Sequence, residues 1–208
     1  MKRFFAMVLA LSMLLGMSAA LAAAVYPITP LDIDEIEPLP NEFEAHISFS
    51  LRDVTRRDVE LHICSDLRYA AADIDALRAG DTILYADEEI VVQTIEGENG
   101  KSINGGYEDG GVTLWLDADG SYVALEYESP VFVDIDGAKV EFADEVVLRR
   151  WHENEDGSIA DDMLETTVPA AEMMRALLKT GYFDFGPAST VALFRNEQLA
   201  ELTLNYTP

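Results

Sequence analysis

Apolar and polar residues alternate in two neighbouring stretches of the chain, near residues 43–51 and 59–63. Successive side chains of a β-strand point to opposite faces, so this period of two predicts two strands, each with one buried face. The polar segment Arg52 to Arg57 predicts the turn that joins them. The apolar positions are Phe43, Ala45, Ile47, Phe49 and Leu51 in the first strand, and Val59, Leu61 and Ile63 in the second.

Two Asp-Gly pairs each separate two apolar runs, a pattern typical of tight β-hairpins. We therefore predict two-residue turns at Asp119-Gly120 and Asp136-Gly137. These turns set the following residues opposite each other: Leu116 with Val123, Leu114 with Leu125 and Val112 with Tyr127 in the first hairpin, and Val133 with Val140 and Val131 with Phe142 in the second.

Two further hairpins follow from apolar runs without Asp-Gly. A turn at Asp87-Glu88 is predicted to join strands at 83–85 and 90–92, whose apolar residues on both faces indicate a pair covered on two sides. A closing hairpin is predicted to join Thr190–Arg195 to Leu199–Tyr206.

Helical periodicity marks one segment, about 169–180, which begins at Pro169 and ends before Gly181. Its apolar residues at helical spacing are Ala170, Met173, Met174, Leu177 and Leu178. A shorter helix is predicted at Ala70–Ala79, before Gly80. The fold class predicted is mainly β: an antiparallel β-barrel or sandwich of about ten strands, with the helix at about 169–180 as a cover.

The first 24 residues have the pattern of a secretory signal peptide. Lys2 and Arg3 precede an apolar run, which ends in small residues with cleavage-type spacing at Ala20, Ala22 and Ala24. The run is also long enough to serve as an uncleaved membrane anchor. Either outcome exports the rest of the chain. Because no lipobox cysteine and no C-terminal sorting tail are seen, we predict a secreted or extracytoplasmic protein without a membrane span in its mature form.

The mature chain divides into two predicted parts. Residues 25–42 are rich in proline and acidic residues, which predicts a spacer or loosely docked arm. Residues 43–208 are predicted to form a single β-rich domain. Cys64 is the only cysteine, so no intrachain disulfide can form; its thiol is predicted to be either buried or free.

Charge excludes several classes of partner. The whole chain has a formal net charge of −25, and removal of Lys2 and Arg3 leaves 12 basic against 39 acidic residues, or −27. Such a field repels nucleic acid and anionic membranes, so neither is a predicted partner. It attracts cationic partners and weakly bound divalent cations, although the same charge also keeps an exported protein soluble.

No catalytic residue, cofactor or specific metal site is predicted. Asp117-Ala118-Asp119-Gly120 and Asp134-Ile135-Asp136-Gly137 resemble fragments of a calcium loop, but both lack a third oxygen ligand before the glycine. His62 and Cys64 share a strand face without the spacing for a direct hydrogen bond. The glycine-rich segment 104–111 lacks the lysine of a phosphate-binding loop and predicts a strongly turned connection that edges a cleft.

Candidate ligand-binding residues are aromatic and basic. In the predicted Asp119-Gly120 register, Trp115 stands opposite Ala124 on the face away from Leu114, with Tyr122 diagonal to it. This pair predicts either a stacking platform for a sugar ring or apolar side chain, or a second buried face under the helix. The densest basic group, predicted either to relieve neighbouring acidic charge or to bind a carboxylate, is Arg52, Arg56 and Arg57.

Three functions remain open at this stage. The leading hypothesis is an exported, non-enzymatic binding or interaction domain whose partner is an extracellular glycan or protein. The second is a secreted hydrolase of glycan or cell-wall polymer that acts through two carboxylates. The third is a structural envelope subunit whose proline-rich arm adds to a neighbour's sheet edge.

Overall fold

The computed structural model describes residues 28–30, 41–98, 100–152 and 162–205. The predicted signal segment lies outside these ranges, as do residues 31–40 of the predicted arm. Within them the chain forms fifteen strands: β1 Glu42–Ser50, β2 Asp58–Asp66, β3 Arg68–Ala70, β4 Thr82–Tyr85, β5 Glu88–Val91, β6 Ile95–Glu96, β7 Gly100–Ile103, β8 Val112–Leu116, β9 Ser121–Glu126, β10 Ser129–Pro130, β11 Phe132–Arg150, β12 Leu164–Pro169, β13 Asp184–Phe185, β14 Thr190–Arg195 and β15 Gln198–Leu204.

Five of these strands form a closed ladder, which we call the strand ring. β1 pairs with β2, β2 with β11, β11 with β15, β15 with β14, and β14 with β1 again. The β11–β15 pair is parallel and the other four are antiparallel. The predicted alternation of β1 and β2 is confirmed, because Ile47, Phe49, Val59 and Leu61 are all buried in the core of this ring.

The predicted hairpin at Asp136-Gly137 is wrong. β11 runs for 19 residues through this point, and its first half pairs with β2 from Asp66↔Phe132 to Asp58↔Glu141. The ladder register shifts between Asp134 and Asp136, where Ile135 is the extra residue of a bulge. Long-range pairing with β2 satisfies the backbone here, so the local turn preference of Asp-Gly is overridden.

A short helix covers the strand ring, as predicted, although it is shorter than the predicted 169–180. The described part of the chain has two short helices, α1 at Ala71–Ala76 and α2 at Met173–Leu178. The helix that covers the ring is α2, which follows a 3-10 turn at Ala170–Glu172. Met173 and Leu177 are fully buried against the ring core, whereas Leu178 is exposed. Their i and i+4 spacing places both side chains on one helix face, which is the face that packs on the ring.

Residues 67–131 build a second sheet between β2 and β11 in the chain. Its strands follow the order β10-β9-β8-β7-β6, and β3 also pairs with β9, on the edge opposite β8. The hairpin β4-β5 forms a separate two-stranded sheet. These elements and α1 share a separate hydrophobic core, which includes Tyr69, Ile74, Ile83, Leu114 and Tyr122.

The Asp119-Gly120 hairpin forms, but its predicted register is wrong by one residue. Leu116 pairs with Tyr122 and Leu114 with Ala124, because Asp117 N–H donates to the Ser121 carbonyl across a three-residue loop. Gly120 has φ +86°, the left-handed conformation that closes such a loop after a type I turn. The added loop residue shifts every cross-strand pair relative to a two-residue turn.

The β4-β5 hairpin also differs from its predicted register. Its turn is at Ala86-Asp87 rather than Asp87-Glu88, so Tyr85 pairs with Glu88. Val91 is exposed, which means that the predicted coverage of both faces is wrong. Ile28, in the predicted arm, forms a parallel bridge with Ile83 and exchanges backbone hydrogen bonds with Thr82 and Leu84.

The fold class is mainly β, as predicted, with several sheets in a sandwich-like arrangement. Within it, the strand ring and the 67–131 unit each have their own core. The predicted short helix near 70–79 and the closing hairpin are confirmed over the described residues. Within the described ranges, no helix has the length and apolar character needed to cross a membrane.

Candidate functional site

An open cleft of about 600 Å³ lies on the outside of the strand ring, across β1, β2 and β11. Alternation decides which residues reach it: Ile47 and Phe49 point into the ring core, so Ser48 and Ser50 point outward. Small groups at Ser48, Ser50 and Gly137 form the floor, which leaves the surface concave at this point.

Charged side chains of both signs line the cleft. Its basic residues are Arg52, His62 and Lys139, and its acidic residues are Asp53, Glu60 and Asp184. Each basic group has a carboxylate nearby: Arg52 Nε is 3.8 Å from Asp53, His62 Nδ1 is 3.5 Å from Asp134, and Lys139 Nζ is 3.4 Å from Asp58. The cleft therefore carries charges of both signs, and its carboxylates outnumber its cationic groups.

An exposed aromatic residue, Phe183, adjoins the cleft through its backbone, although its side chain is not among those that line it. The Phe183 carbonyl accepts hydrogen bonds from Leu51 N–H at 2.7 Å and from the Ser50 hydroxyl at 3.5 Å. These bonds hold Phe183 beside cleft residues Ser50 and Asp184, and 68% of its surface is exposed. The next aromatic residue, Phe185, turns inward and stacks on Phe49 at 4.5 Å between ring centroids.

The structure separates the three predicted arginines. Arg52 lines the cleft, whereas Arg56 and Arg57 lie in the exposed turn before β2 and do not line it. Within the described residues, neither Arg56 nor Arg57 forms an ion pair. Only Arg52 has a carboxylate partner, Asp53, so only Arg52 supports the predicted role of relieving acidic charge. Carboxylate binding by this group stays a prediction.

The predicted aromatic pair does not form. Trp115 lies opposite Val123 on the outer face of the second sheet, is 57% exposed, and its ring lies over Gly100. Tyr122 is on the opposite face and only 1% exposed, with its hydroxyl 3.0 Å from Asp75. The one-residue register shift explains the separation, because each step along a strand reverses the face. The predicted cover by α2 is also absent, since α2 packs on the strand ring.

The first calcium-like segment is occupied by an arginine. Arg68 contacts the carboxylates of Asp66, Asp117 and Asp119 at 2.7, 2.9 and 2.7 Å. Asp119 also accepts hydrogen bonds from Ser121 N–H and its hydroxyl, and these bonds, followed by Arg68, lower its pKa. The second segment is part of β11. Within the described ranges, no group of three potential ligands is arranged for a metal ion.

Cys64 is buried and lines a second cleft of about 470 Å³ together with His46, its cross-strand partner. Burial, followed by Asp134, raises the pKa of the thiol to about 11, so it is protonated at neutral pH. His46 uses Nδ1 in a 2.8 Å contact with the Pro187 carbonyl. The arrangement lacks the thiolate that a cysteine nucleophile requires.

Sequence reasoning missed most of the cleft around Arg52. Phe183 follows the helix stop at Gly181, and the aromatic residues Tyr182, Phe183 and Phe185 around Asp184 were its only local signal. The floor residues come from β1 and β11, which are far apart in the chain, and they meet because β2 pairs with both strands. The pairing of β2 with β11 was hidden by the Asp136-Gly137 turn signal.

No known protein family, curated protein or solved structure matches this chain.

Proposed function

We propose that this chain is an exported, non-enzymatic binding domain that holds a segment of a neutral extracellular glycan in the cleft around Arg52. The observation that carries the proposal is a concave cleft with hydrogen-bonding side chains, adjoined by the exposed residue Phe183. Binding sites commonly join an apolar contact face to a few oriented polar groups. Export rests on the signal-like pattern of residues 1–24.

The charges of the cleft favour a neutral ligand over a polyanion. A chain of net charge −25 repels an acidic polymer at long range. Within the cleft, Arg52, Lys139 and their carboxylate neighbours offer both hydrogen-bond donors and acceptors. Sugar hydroxyls both donate and accept, and the apolar side of a sugar ring packs against an aromatic face such as Phe183.

The test is calorimetric titration of the exported protein with a panel of soluble neutral glycans. We expect one class to bind, and Phe183→Ser to weaken that binding by roughly five- to thirtyfold, the loss typical of an exposed aromatic anchor. Trp115→Ser is the matched control, because Trp115 is similarly exposed but lies on the second sheet. Absence of binding across the panel, or equal losses for both variants, overturns the proposal.

A hydrolase is the second candidate, because the same cleft contains the three carboxylates of Asp53, Glu60 and Asp184. Glycosidases act through two carboxyl groups about 5–9.5 Å apart on either side of the bond. Release of new reducing ends from a bound glycan, lost in Glu60→Gln or Asp184→Asn, would identify this activity. Binding without release supports the non-enzymatic proposal. The structural-subunit hypothesis stays a prediction, which size-exclusion chromatography at high concentration tests.

A further inference from the structure

Three tyrosines gather around one carboxylate in the 67–131 unit, away from the cleft around Arg52. Tyr85 lies at the end of β4, Tyr107 in a 3-10 turn before β8, and Tyr127 in the turn after β9. The Tyr85 hydroxyl donates to Glu126 Oε1 at 3.2 Å. The rings of Tyr107 and Tyr127 meet edge to face, with centroids 5.2 Å apart and planes at 75°. Two aromatic faces at this angle form a corner beside the carboxylate.

The glycine-rich segment 104–111 positions Tyr107. Gly106 has φ +85°, and a Cβ there would come within 2.8 Å of Thr113 Oγ1, so the segment requires glycine at this point. The same Thr113 oxygen accepts a 3.1 Å hydrogen bond from Tyr107 N–H. The loop thus fixes the backbone of Tyr107 against β8 and leaves its ring half-exposed.

Tyr127 is held in an unfavourable conformation at the surface. Its φ is +56°, in the left-handed region where a bulky side chain is uncommon and where Asn or Gly is better tolerated. Its side chain is 72% exposed, so burial contributes little to offset this conformation. The two-residue turn between Glu126 and Ser129 requires this conformation, and it holds the ring of Tyr127 at the surface.

Electrostatics around Glu126 favour a cation. Among the described residues, no Lys, Arg or His side chain lies within 4.0 Å of its half-buried carboxylate. The charge of Glu126 raises the pKa of Tyr107, while burial and then Glu126 raise that of Tyr85, so both phenols are neutral at physiological pH. Neutral tyrosine rings present negative faces, and the net charge of −25 attracts cations over longer distances.

We propose that Tyr85, Tyr107, Tyr127 and Glu126 bind a quaternary ammonium group such as that of choline. Calcium requires six to eight oxygen ligands, and this cluster supplies one carboxylate. A quaternary ammonium group instead spreads its charge over a bulky, weakly hydrated surface, which suits aromatic faces set at an angle. This site is independent of the glycan-binding proposal, because it lies on different strands and uses different residues.

Saturation-transfer NMR on the N-methyl signal of tetramethylammonium and choline tests the proposal with the intact exported protein. We expect saturable binding in roughly the millimolar range. The neutral tert-butyl isostere of choline, dimethylbutanol, should bind at least about fivefold more weakly because it lacks the charge. This comparison needs no variant, so it does not depend on the folding of a mutant.

Variants then locate the site. Tyr107→Leu, Tyr127→Asn and Glu126→Gln should each weaken binding by about two- to fivefold. Asn suits the left-handed backbone at position 127, so that variant is expected to fold. Tyr182→Asn is the matched control, since Tyr182 is also exposed but precedes β13 on the other core. No saturable signal, equal binding of the isostere, or an equal loss in Tyr182→Asn overturns the proposal.

The quaternary ammonium group has two sources that the same experiment separates. Binding of choline without co-sedimentation with phosphatidylcholine vesicles indicates a free solute. Co-sedimentation that choline competes away, and that is lost in Tyr107→Leu, indicates a lipid headgroup. Either result supports the proposed chemistry.

Discussion

Replacing Arg68 with alanine should destabilise the protein more than any other single arginine truncation on the 67–131 unit. The guanidinium donates to both Asp66 oxygens, from Nε at 3.0 Å and from Nη2 at 2.7 Å. Its Nη1 contacts Asp117, Asp119 and the Ser121 hydroxyl at 2.9, 2.7 and 2.9 Å. The variant leaves three carboxylates near one another without their shared cation.

The magnitude follows from the exposure of the partners. The Arg68 and Asp66 side chains are 27% and 24% exposed, so this forked pair is partly desolvated and contributes about 1.5–3 kcal/mol. Asp117 is more exposed and adds about 0.2–1 kcal/mol after solvent screening, whereas Asp119 is more exposed still and adds least. The Asp66 and Asp117 terms together predict a loss of roughly 2–4 kcal/mol in the free energy of unfolding, or roughly 5–15 °C in Tm.

Urea unfolding at neutral pH, followed by circular dichroism, measures the loss. Arg52→Ala is the control: its side chain is 85% exposed and 3.8 Å from its partner, so we expect a change within about 0.5 kcal/mol. Added sodium chloride should recover part of the loss in Arg68→Ala, because salt screens the repulsion among the three carboxylates left without their shared cation.

The pH dependence of the stability difference between wild type and Arg68→Ala gives a further test of the ionic explanation. The pKa of Asp119 is lowered in the folded state, by Ser121 first and by Arg68 as a smaller cause. A lowered pKa stabilises the fold at neutral pH, and this contribution is lost as pH falls through the acidic range. The gap between wild type and Arg68→Ala should therefore narrow below about pH 4. A loss under about 0.5 kcal/mol, or equal to that of Arg52→Ala, would refute the ionic explanation.

Two further predictions concern the cores. Leu177→Ala should lower the free energy of unfolding by about 2–5 kcal/mol because it leaves a cavity under the ring, whereas Leu178→Ala, at an exposed position, should change it by about 0.5 kcal/mol or less; guanidinium unfolding compares them. Stability should also fall at alkaline pH, because burial raises the pKa of Cys64 from 9.0 to about 11 and that of Tyr69 above its ordinary value of 10.0. Each group contributes its full stabilisation at pH values below the ordinary pKa of that group. This stabilisation is lost as the pH rises above that value. Thermal scans between pH 8 and 11 measure the decline, and Cys64→Ala should remove its earliest part; a flat profile in the wild type contradicts the assignment.

Local patterns predicted the elements that depend on few residues. The alternation around Ile47 and Leu61 and the helical spacing of Met173 and Leu177 each specify a buried face by themselves. The closing hairpin was also predictable, since its two strands are separated by only Asn196 and Glu197.

The failures arose where two interactions compete for the same backbone. Asp-Gly favours a turn, yet at Asp136-Gly137 nine residues of β2 offered a complete ladder to an extended strand. At Asp119-Gly120 the turn formed with one more loop residue than predicted, which moved Tyr122 into the core and left Trp115 outside. The cleft and the tyrosine cluster could not be predicted, because both join residues from strands whose order a one-dimensional pattern does not contain.

The two ends of the 67–131 unit leave the strand ring side by side, because Asp66 and Phe132 are cross-strand partners in the β2–β11 ladder. For the ring, the whole unit therefore occupies the place of a hairpin connection. Insertions with adjacent ends are tolerated because they leave the register of the host strands unchanged. During evolution or in protein engineering, this unit can be lengthened, exchanged or cut back to a short turn while the ring keeps its own architecture.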